Sequence, residues 1–453
     1  MSTEPSFLHR TGQTLLSWIG LGNAETKMRA HAENWLEMAG KVWDYRRDQL
    51  TEKDAAELRA RTDDLRQRYQ ARANEAKLKQ GIDALEPVLK RTGGAIYPKT
   101  ALIENVEFFL VAAIVILGVR AYFLQPFKIP TNSMWPTYYG MTPEVFTAKS
   151  DEPSSLAVAA RAVVYGAWPH RVDAPVVGEI LVPIDERGFV HYKTVPGRSW
   201  LVFPTQLKEY TLLVDDRPVT LRVPLDFDFE WVVSDAYFLP GVQYGRPELW
   251  AKWGNLIRSG QSEWRTVDGE RVQCVRTGRH VRAGERVLSF DEITGDQLFV
   301  DRVSYNFFRP RVGQGLVFNT VNIHSVSMLD AAGHQIEQYY IKRLVGTPGD
   351  MIEIREPLLY RNGQPITGAE AFEKNSHRIG QYRGYFYGPP GPDHFLQSPG
   401  EKLTVPADSF FAMGDNSGNS GDSRYWGYVP AKEVVGRPLF IYFPFSKRWG
   451  PSR

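Results

Sequence analysis

Residues 125–137 read QPFKIPTNSMWPT and follow directly on VEFFLVAAIVILGVRAYFL at 106–124. The apolar stretch has nineteen residues; at ~1.5 Å each they make a helix about 28 Å long, close to the ~30 Å of a bilayer's hydrocarbon. Phe108–Val119 carries no charge, and Glu107 and Arg120 stand near the ends, where each can reach toward headgroups. A transmembrane helix is therefore expected over 101–126. Beyond it, Pro130 and Pro136 fix φ and hold the chain extended or turned. Ser133 lies between them with a defined direction, close to the bilayer surface.

Upstream, Lys77, Lys79, Lys90, Arg91 and Lys99 precede the span, whereas the twenty residues after Leu124 hold only Lys128. That asymmetry places the N-terminus in the cytoplasm and the rest of the chain outside. Residues 1–100 read as a cytoplasmic helical region. Met28, Ala32, Trp35, Ala39 and Val42 recur at helical spacing. Thr51 with Asp54 opens a second helix bearing Leu58, Leu65 and Tyr69 on one face. The expectation is a solvated helical pair ending near Gly93-Gly94. Residues 14–22, TLLSWIGLG, are apolar but too short to cross a bilayer.

Downstream the texture changes to short alternating runs: GEILVPI, TLLVDDRPVTLRVP, QGLVFNT, EQYYIKRLVG and DMIEI. Asn362-Gly363 between LLYR and QPI marks a type I′ hairpin, which needs positive φ at both central residues. This portion should be mainly β, in keeping with an aromatic share of 13%. The 453 residues are enough for two to four compact units. A formal charge of +2 implies no nucleic-acid partner, and no basic-aromatic site for one is evident. The single cysteine, Cys274, excludes an intramolecular disulfide; no zinc spacing surrounds it, and nothing nearby activates it as a thiol.

A serine hydroxyl needs a base. The nine histidines form no triad pattern, and His191 in FVHYK reads as packed or surface. A lysine serves if it is neutral. Lys342, in QYYIKRLVGTPGD at 338–350, lies in an expected strand, so Lys342 and Arg343 should face opposite sides. With Arg343 on the wet face, Lys342 points into the core, where desolvation lowers its pKa toward what a general base requires. The segment AMGDNSGNSGDSRYWGYVP at 412–430 is a polar loop able to orient other groups. Asp415, Asn416 and Asp422 are oxygen donors, but their spacing is not that of a calcium loop.

Four segments appear in order: PTNSMWPT, GDQLFVDRVSY, KRLVGTPGD and GDNSGNSGDSRYWG. Behind a correctly oriented span, this set resembles the type I signal peptidases, the Ser-Lys proteases of bacterial inner membranes. The resemblance implies a mainly antiparallel β catalytic domain against the membrane, with Ser133 as nucleophile and Lys342 as general base. It implies an oxyanion hole of the Ser133 N–H and Thr131, and Ser420 as the group orienting the lysine. It also implies structural support from Asp422, Arg424, Asp415 and Asn416. The substrate surface would include Phe127, Ile129, Pro130, Met134 and Tyr340, with the strand ending at Pro130 pairing with an extended peptide. Implied substrates are exported precursors with small residues at −1 and −3 before the cut. Implied partners are those precursors, the bilayer and the export machinery, with no metal or organic cofactor. The implied location is the bacterial inner membrane, single-pass, with the catalytic domain on the periplasmic side.

The family's Arg-Asp after Gly-Asp-Asn is here Ser417-Gly418, and Gln314 stands in place of an acid. More conspicuously, Tyr139-Gly140 and Gly295-Asp296, normally about adjacent, are about 155 residues apart, enough for a unit with its own core. The expected layout is a helical region at 1–100, a span at 101–126, the first catalytic part at 127–140, a β-rich insert at 141–290 and the second catalytic part at 291–453. Two other readings fit less well. Self-cleaving repressors share the chemistry but carry a helix-turn-helix and no span. A non-catalytic presenter would have no need of both Ser133 and Lys342.

Overall fold

The computed structural model describes residues 24–98, 101–199, 203–242, 246–329 and 333–452. The apolar stretch 14–22 and Lys99 lie outside them. The chain divides into two compact units, Met1–Ile116 and Leu117–Arg453.

In the first unit the expected helical pair is three helices: α1 (Ala24–Arg46), α2 (Glu52–Gln70) and α3 (Glu75–Thr92). Thr51 caps α2 as expected, its hydroxyl accepting the Asp54 N–H at 3.2 Å. The break that was missed falls at 71–74, where Arg72 takes a positive φ and the Asn74 side chain caps α3 by accepting the Lys77 N–H. The apolar stripes, among them Ala32, Ala39, Leu58, Leu65, Leu78, Ile82 and Leu85, close one core. The outward faces carry pairs such as Lys41–Glu37 and Lys90–Glu86, each worth only tenths of a kcal/mol or so.

Helix α4 (Ala101–Tyr122) is long and apolar enough to cross a membrane and none of its apolar window is buried. It stops four residues short of the expected 126. Pro126 has no N–H and pushes its predecessor into extended backbone, and Leu124 already pairs with Asp301 as part of strand β1 (Leu124–Lys128).

The second unit is antiparallel throughout its sheets, as expected. After β1 come β2 (Thr142–Val145), α5 (Ser155–Tyr165), β3 (Trp168–Asp173), β4 (Gly178–Ile184), β5 (Tyr192–Ser199), β6 (Phe203–Val214) and β7 (Arg217–Pro224). Helices α6 (Phe229–Val233) and α7 (Arg246–Arg258) precede β8 (Ser262–Val267), β9 (Glu270–Val281) and β10 (Arg286–Ile293). Strands β4 to β9 build one six-stranded sheet, and β2, β10 and β3 another. Their shared core gathers Val182, Tyr210, Leu212, Phe227, Phe229 and Phe290. Cys274 is buried against Leu181 and Leu213, which pushes its thiol up to about 11, an inert setting. His191 is packed, with Nδ1 4.0 Å from a Glu270 oxygen.

Strand β2 leaves and β10 returns beside it, Thr142 opposite Ile293. Tyr139 and Asp296 are tied twice: the Tyr139 N–H donates to the Asp296 carboxylate and the Asp296 N–H to the Tyr139 carbonyl, both at 2.8 Å. The two ends of the intervening 150-odd residues therefore meet, and closure of so long a loop costs little more than that of a short one.

The remaining strands are β11 (Gln297–Asp301), β12 (Gly315–Asn319), β13 (Tyr339–Gly346), β14 (Met351–Arg355), β15 (Leu358–Arg361), β16 (Gln364–Pro365), β17 (Lys402–Thr404), β18 (Ser409–Met413), β19 (Val429–Pro430), β20 (Val434–Phe443) and β21 (Gly450–Pro451). The principal sheet runs β1-β11-β20-β12-β13-β18-β19, with β21 on β20. A smaller sheet runs β16-β15-β14-β17, and its Asn362-Gly363 turn has the expected positive φ at both residues. Helix α8 (Glu370–His377) follows β16, and α9 (Ser423–Trp426) follows β18.

Candidate active site

Ser133 lies in a tight turn between β1 and β2. Asn132 holds that turn through both ends of its amide: it accepts from the Gly140 N–H at 2.9 Å and donates to the Met141 carbonyl at 2.8 Å. From the far side of the fold, Asn416 donates its N–H to the Ser133 carbonyl (3.1 Å) and its side-chain amide to the Asn132 carbonyl (3.0 Å). Residues 284 positions apart are thus fixed to one another. The Ser133 N–H makes no hydrogen bond among the described residues, and the neighbouring Thr131 side chain is exposed and unbonded.

Strand β13 delivers Lys342. Its Nζ donates to Ser133 Oγ at 2.5 Å, and the two residues are only 4% and 8% exposed. Among the described residues Lys342 makes no ion pair. Burial lowers its pKa to about 8; Asp422 opposes that shift, Arg424 adds to it and Asp415 opposes it. The Tyr340 ring, on the same face of β13, lies 5.5 Å from Nζ. Two hydrogen-bonded groups are thus in reach of one another, a hydroxyl that can attack and an amine largely freed of its proton near neutral pH.

Arg343 departs from expectation. It does face away from Lys342, but that face is not wet. Arg343 is 2% exposed and forms a fork with Asp415, Nε to Oδ1 at 2.7 Å and Nη2 to Oδ2 at 2.6 Å. Its third donor goes to the Gly313 carbonyl, and Thr137 donates to Asp415. Both faces of β13 are covered: Leu344 and Tyr340 meet Leu316, Phe318 and Trp426 on one side, and Val345 meets Ile352 and Tyr385 on the other. A central strand with two dry faces can hold an arginine only in a complete ion pair.

Asp422 and Arg424 form the second buried fork, Nε to Oδ1 and Nη2 to Oδ2, both at 2.8 Å. Burial pushes the Asp422 carboxyl up, but Arg424 and the Gly414 N–H outweigh it and hold it below the ordinary range. Arg424 also donates to the carbonyls of Ser417 and Phe386, pinning the polar loop. Gly414 is there for space. A Cβ would meet Ser420 Oγ at 2.2 Å and the Ser133 carbonyl at 2.4 Å.

Ser420 therefore lies beside the Ser133 turn, but its buried hydroxyl makes no hydrogen bond, so the expected contact orienting Lys342 is absent here. Met134 and Ile129 are enclosed with Tyr138, Leu298 and Val317 instead of lining an open wall. Long apolar side chains beside a sheet complete its core first. Phe127, packed on Tyr339 with centroids 5.1 Å apart, Pro130 and Tyr340 are partly accessible. Strand β1 is terminal in its sheet, which leaves its outer edge for an added strand. The two unusual positions are accommodated locally: Gln314 accepts from the Tyr305 hydroxyl and the Arg311 N–H, and the Ser417 hydroxyl accepts from the Phe386 N–H. Sequence reading missed Asn132, Thr137, Arg343 and Gly414. Only the glycine beside Asp415 offered a signal, as a position free of Cβ.

Residues 290–443 match the family model described as signal peptidase, peptidase S26. A probable signal peptidase I-1 of Synechocystis is 34% identical over 156 residues, 34% of this chain and 66% of that protein. A signal peptidase I of Leptolyngbya laminosa is 34% identical over 152 residues, 34% of this chain and 62% of it. The thylakoidal processing peptidase 1 of Arabidopsis thaliana is 30% identical over 155 residues, 34% of this chain and 38% of it. The chain thus spans just under two thirds, or less, of the length of these relatives. A solved signal peptidase I from Enterococcus faecalis is 26% identical, covering 29% of this chain and 97% of that one, with a TM-score of 0.21.

Proposed function

The chain carries a domain of the signal peptidase S26 family, and from that premise we propose that it is a membrane-anchored serine endopeptidase that removes signal peptides from exported precursors. Ser133 attacks the scissile carbonyl while neutral Lys342 takes its proton. The oxyanion forms against the Ser133 N–H and Thr131. Lys342 then returns the proton to the leaving amine, and water, deprotonated by the same lysine, releases the acyl-enzyme. Residues with small side chains at −1 and −3 fit the substrate, which adds a strand to the free edge of β1. Helix α4 is the single membrane anchor, residues 1–100 are cytoplasmic, and everything beyond the span is periplasmic. Residues 127–140 and 291–453 make one catalytic domain, interrupted by a domain of 141–290. The partners are the precursors, the bilayer and the export machinery, and the chemistry needs no cofactor.

The observation that carries this reading is the 2.5 Å approach of a buried, unpaired lysine amine to a serine hydroxyl. The test is cleavage of a precursor bearing an Ala-x-Ala site by the detergent-solubilised chain. The parent should cut once, after the second alanine, and Ser133→Ala and Lys342→Ala should each lose at least about 10³-fold in rate. Undiminished cleavage by either variant removes that residue from the mechanism.

A further inference from the structure

Residues 225–233 read LDFDFEWVV, acids alternating with aromatics. Phe227 and Phe229 turn into the core of the 141–290 region, Phe227 stacked on Phe290 with centroids 5.8 Å apart and Phe229 against Tyr210 at 4.3 Å. That anchoring leaves Asp226 exposed. At the other end Trp231 packs edge-on against Trp135, centroids 5.9 Å apart and rings at 82°, with Tyr139 beside them. Trp135 is two residues past Ser133.

The near end of the segment reaches the other member of the dyad. Asp226 lies close enough to Tyr340 for its charge, after burial, to push that phenol up, and the Tyr340 ring is 5.5 Å from Lys342 Nζ. Asp226 itself makes no ion pair or hydrogen bond among the described residues, so its charge is uncommitted. A separate tie, Glu248 of α7 to Arg383 at 2.6 Å, fastens the same region to the chain around the site.

We propose that Asp226–Trp231 forms one wall of the substrate cleft and that Asp226 selects precursors with a positively charged side chain close to the scissile bond. The proposal rests on the Ser133–Lys342 reading above. A peptide laid along β1 with its scissile carbonyl at Ser133 passes between the Tyr340 and Trp135 ends of this wall. A carboxylate on its rim attracts Lys or Arg there and repels Asp or Glu, which is discrimination by both attraction and repulsion. Trp231 holds the wall in place through Trp135.

The test uses full-length Ser133→Ala protein in detergent and fluorescent peptides spanning an Ala-x-Ala site. Lys or Glu is placed in turn at each of the three positions on either side of the cut. Affinity is measured at low and high salt, with cleavage by the parent run alongside. At one or more positions the Lys peptide should bind about fivefold more tightly than the Glu peptide, the upper range for an exposed charge pair. Asp226→Asn should bring that ratio near one, Asp226→Lys should invert it, and salt should weaken it. No charge preference at any position, or one that survives Asp226→Asn, overturns the proposal. If the parent still cleaves and Ser133→Ala does not, the dyad stands while the wall falls. If Ser133→Ala cleaves like the parent, both readings fall.

Discussion

At the scale of single residues, the site turns on a lysine kept from its usual charge. Lys342 is surrounded by protein on a strand with two dry faces, and no carboxylate pairs with it. Removing an ammonium from water without a partner disfavours the charged form, hence a pKa near 8 in place of 10.5. Its neighbour Arg343 shows the alternative: a guanidinium that cannot shed its proton is buried only with Asp415 forked against it. The sign of the pH dependence follows. The base form of Lys342 is the competent one, so kcat/KM should fall about tenfold per pH unit below about 8 and level off above it. Lys342→Arg should be inactive at every pH where the protein is folded. A pH–rate profile flat down to about pH 5 would falsify a lysine base.

At the scale of elements, two turns and one strand are brought into register. The Ser133 turn is held by Asn132 from within and by Asn416 from outside, and the loop bearing Asn416 is held by the Asp422–Arg424 fork. Gly414 lets the loop approach the turn. Because a Cβ there would overlap both Ser420 Oγ and the Ser133 carbonyl, Gly414→Ala must push the two apart. A displacement on the order of 1 Å at a nucleophile costs about 10²-fold in rate. The expected result is that loss in kcat with KM changed little, in a protein whose melting temperature stays within a few degrees of the parent. Normal kcat would mean that the approach of loop to turn is not what aligns Ser133. The elements around the site were readable where periodicity speaks. β4, β6, β7, β12, β13 and β14 fall on the alternating runs, and Asn362-Gly363 makes its turn. The break between α2 and α3 was not, because the residues at 71–74 carry no proline or glycine to announce it.

At the scale of the whole molecule, the first and second catalytic parts are joined by pairing instead of by proximity in sequence. Strand β10 returns beside β2, and Tyr139 and Asp296 exchange two hydrogen bonds where the chain rejoins the principal sheet. Helix α4 gives way to β1 within two residues. On the proposed orientation, protease added to the outside of spheroplasts should digest the chain beyond α4 and leave a membrane-bound fragment ending near Phe123. Protection of the whole chain, or loss of the N-terminal helices, would reverse the orientation.

Taken alone, the order of residues determined what depends on neighbours along the chain. The length of the apolar stretch set a helix able to span a bilayer, alternation set the strands, and the spacing of Ser133 and Lys342 within motifs marked both as reactive groups. Tertiary structure decided what depends on residues far apart. It dried both faces of β13, so that Arg343 was buried against the reading that put it in water. It enclosed Met134 and Ile129 in the core, left the Ser420 hydroxyl unbonded, and carried Asp226 and Trp231 to the two sides of the dyad. The reason is physical: burial is a property of everything packed around a group, and no local pattern records which distant surface will cover it.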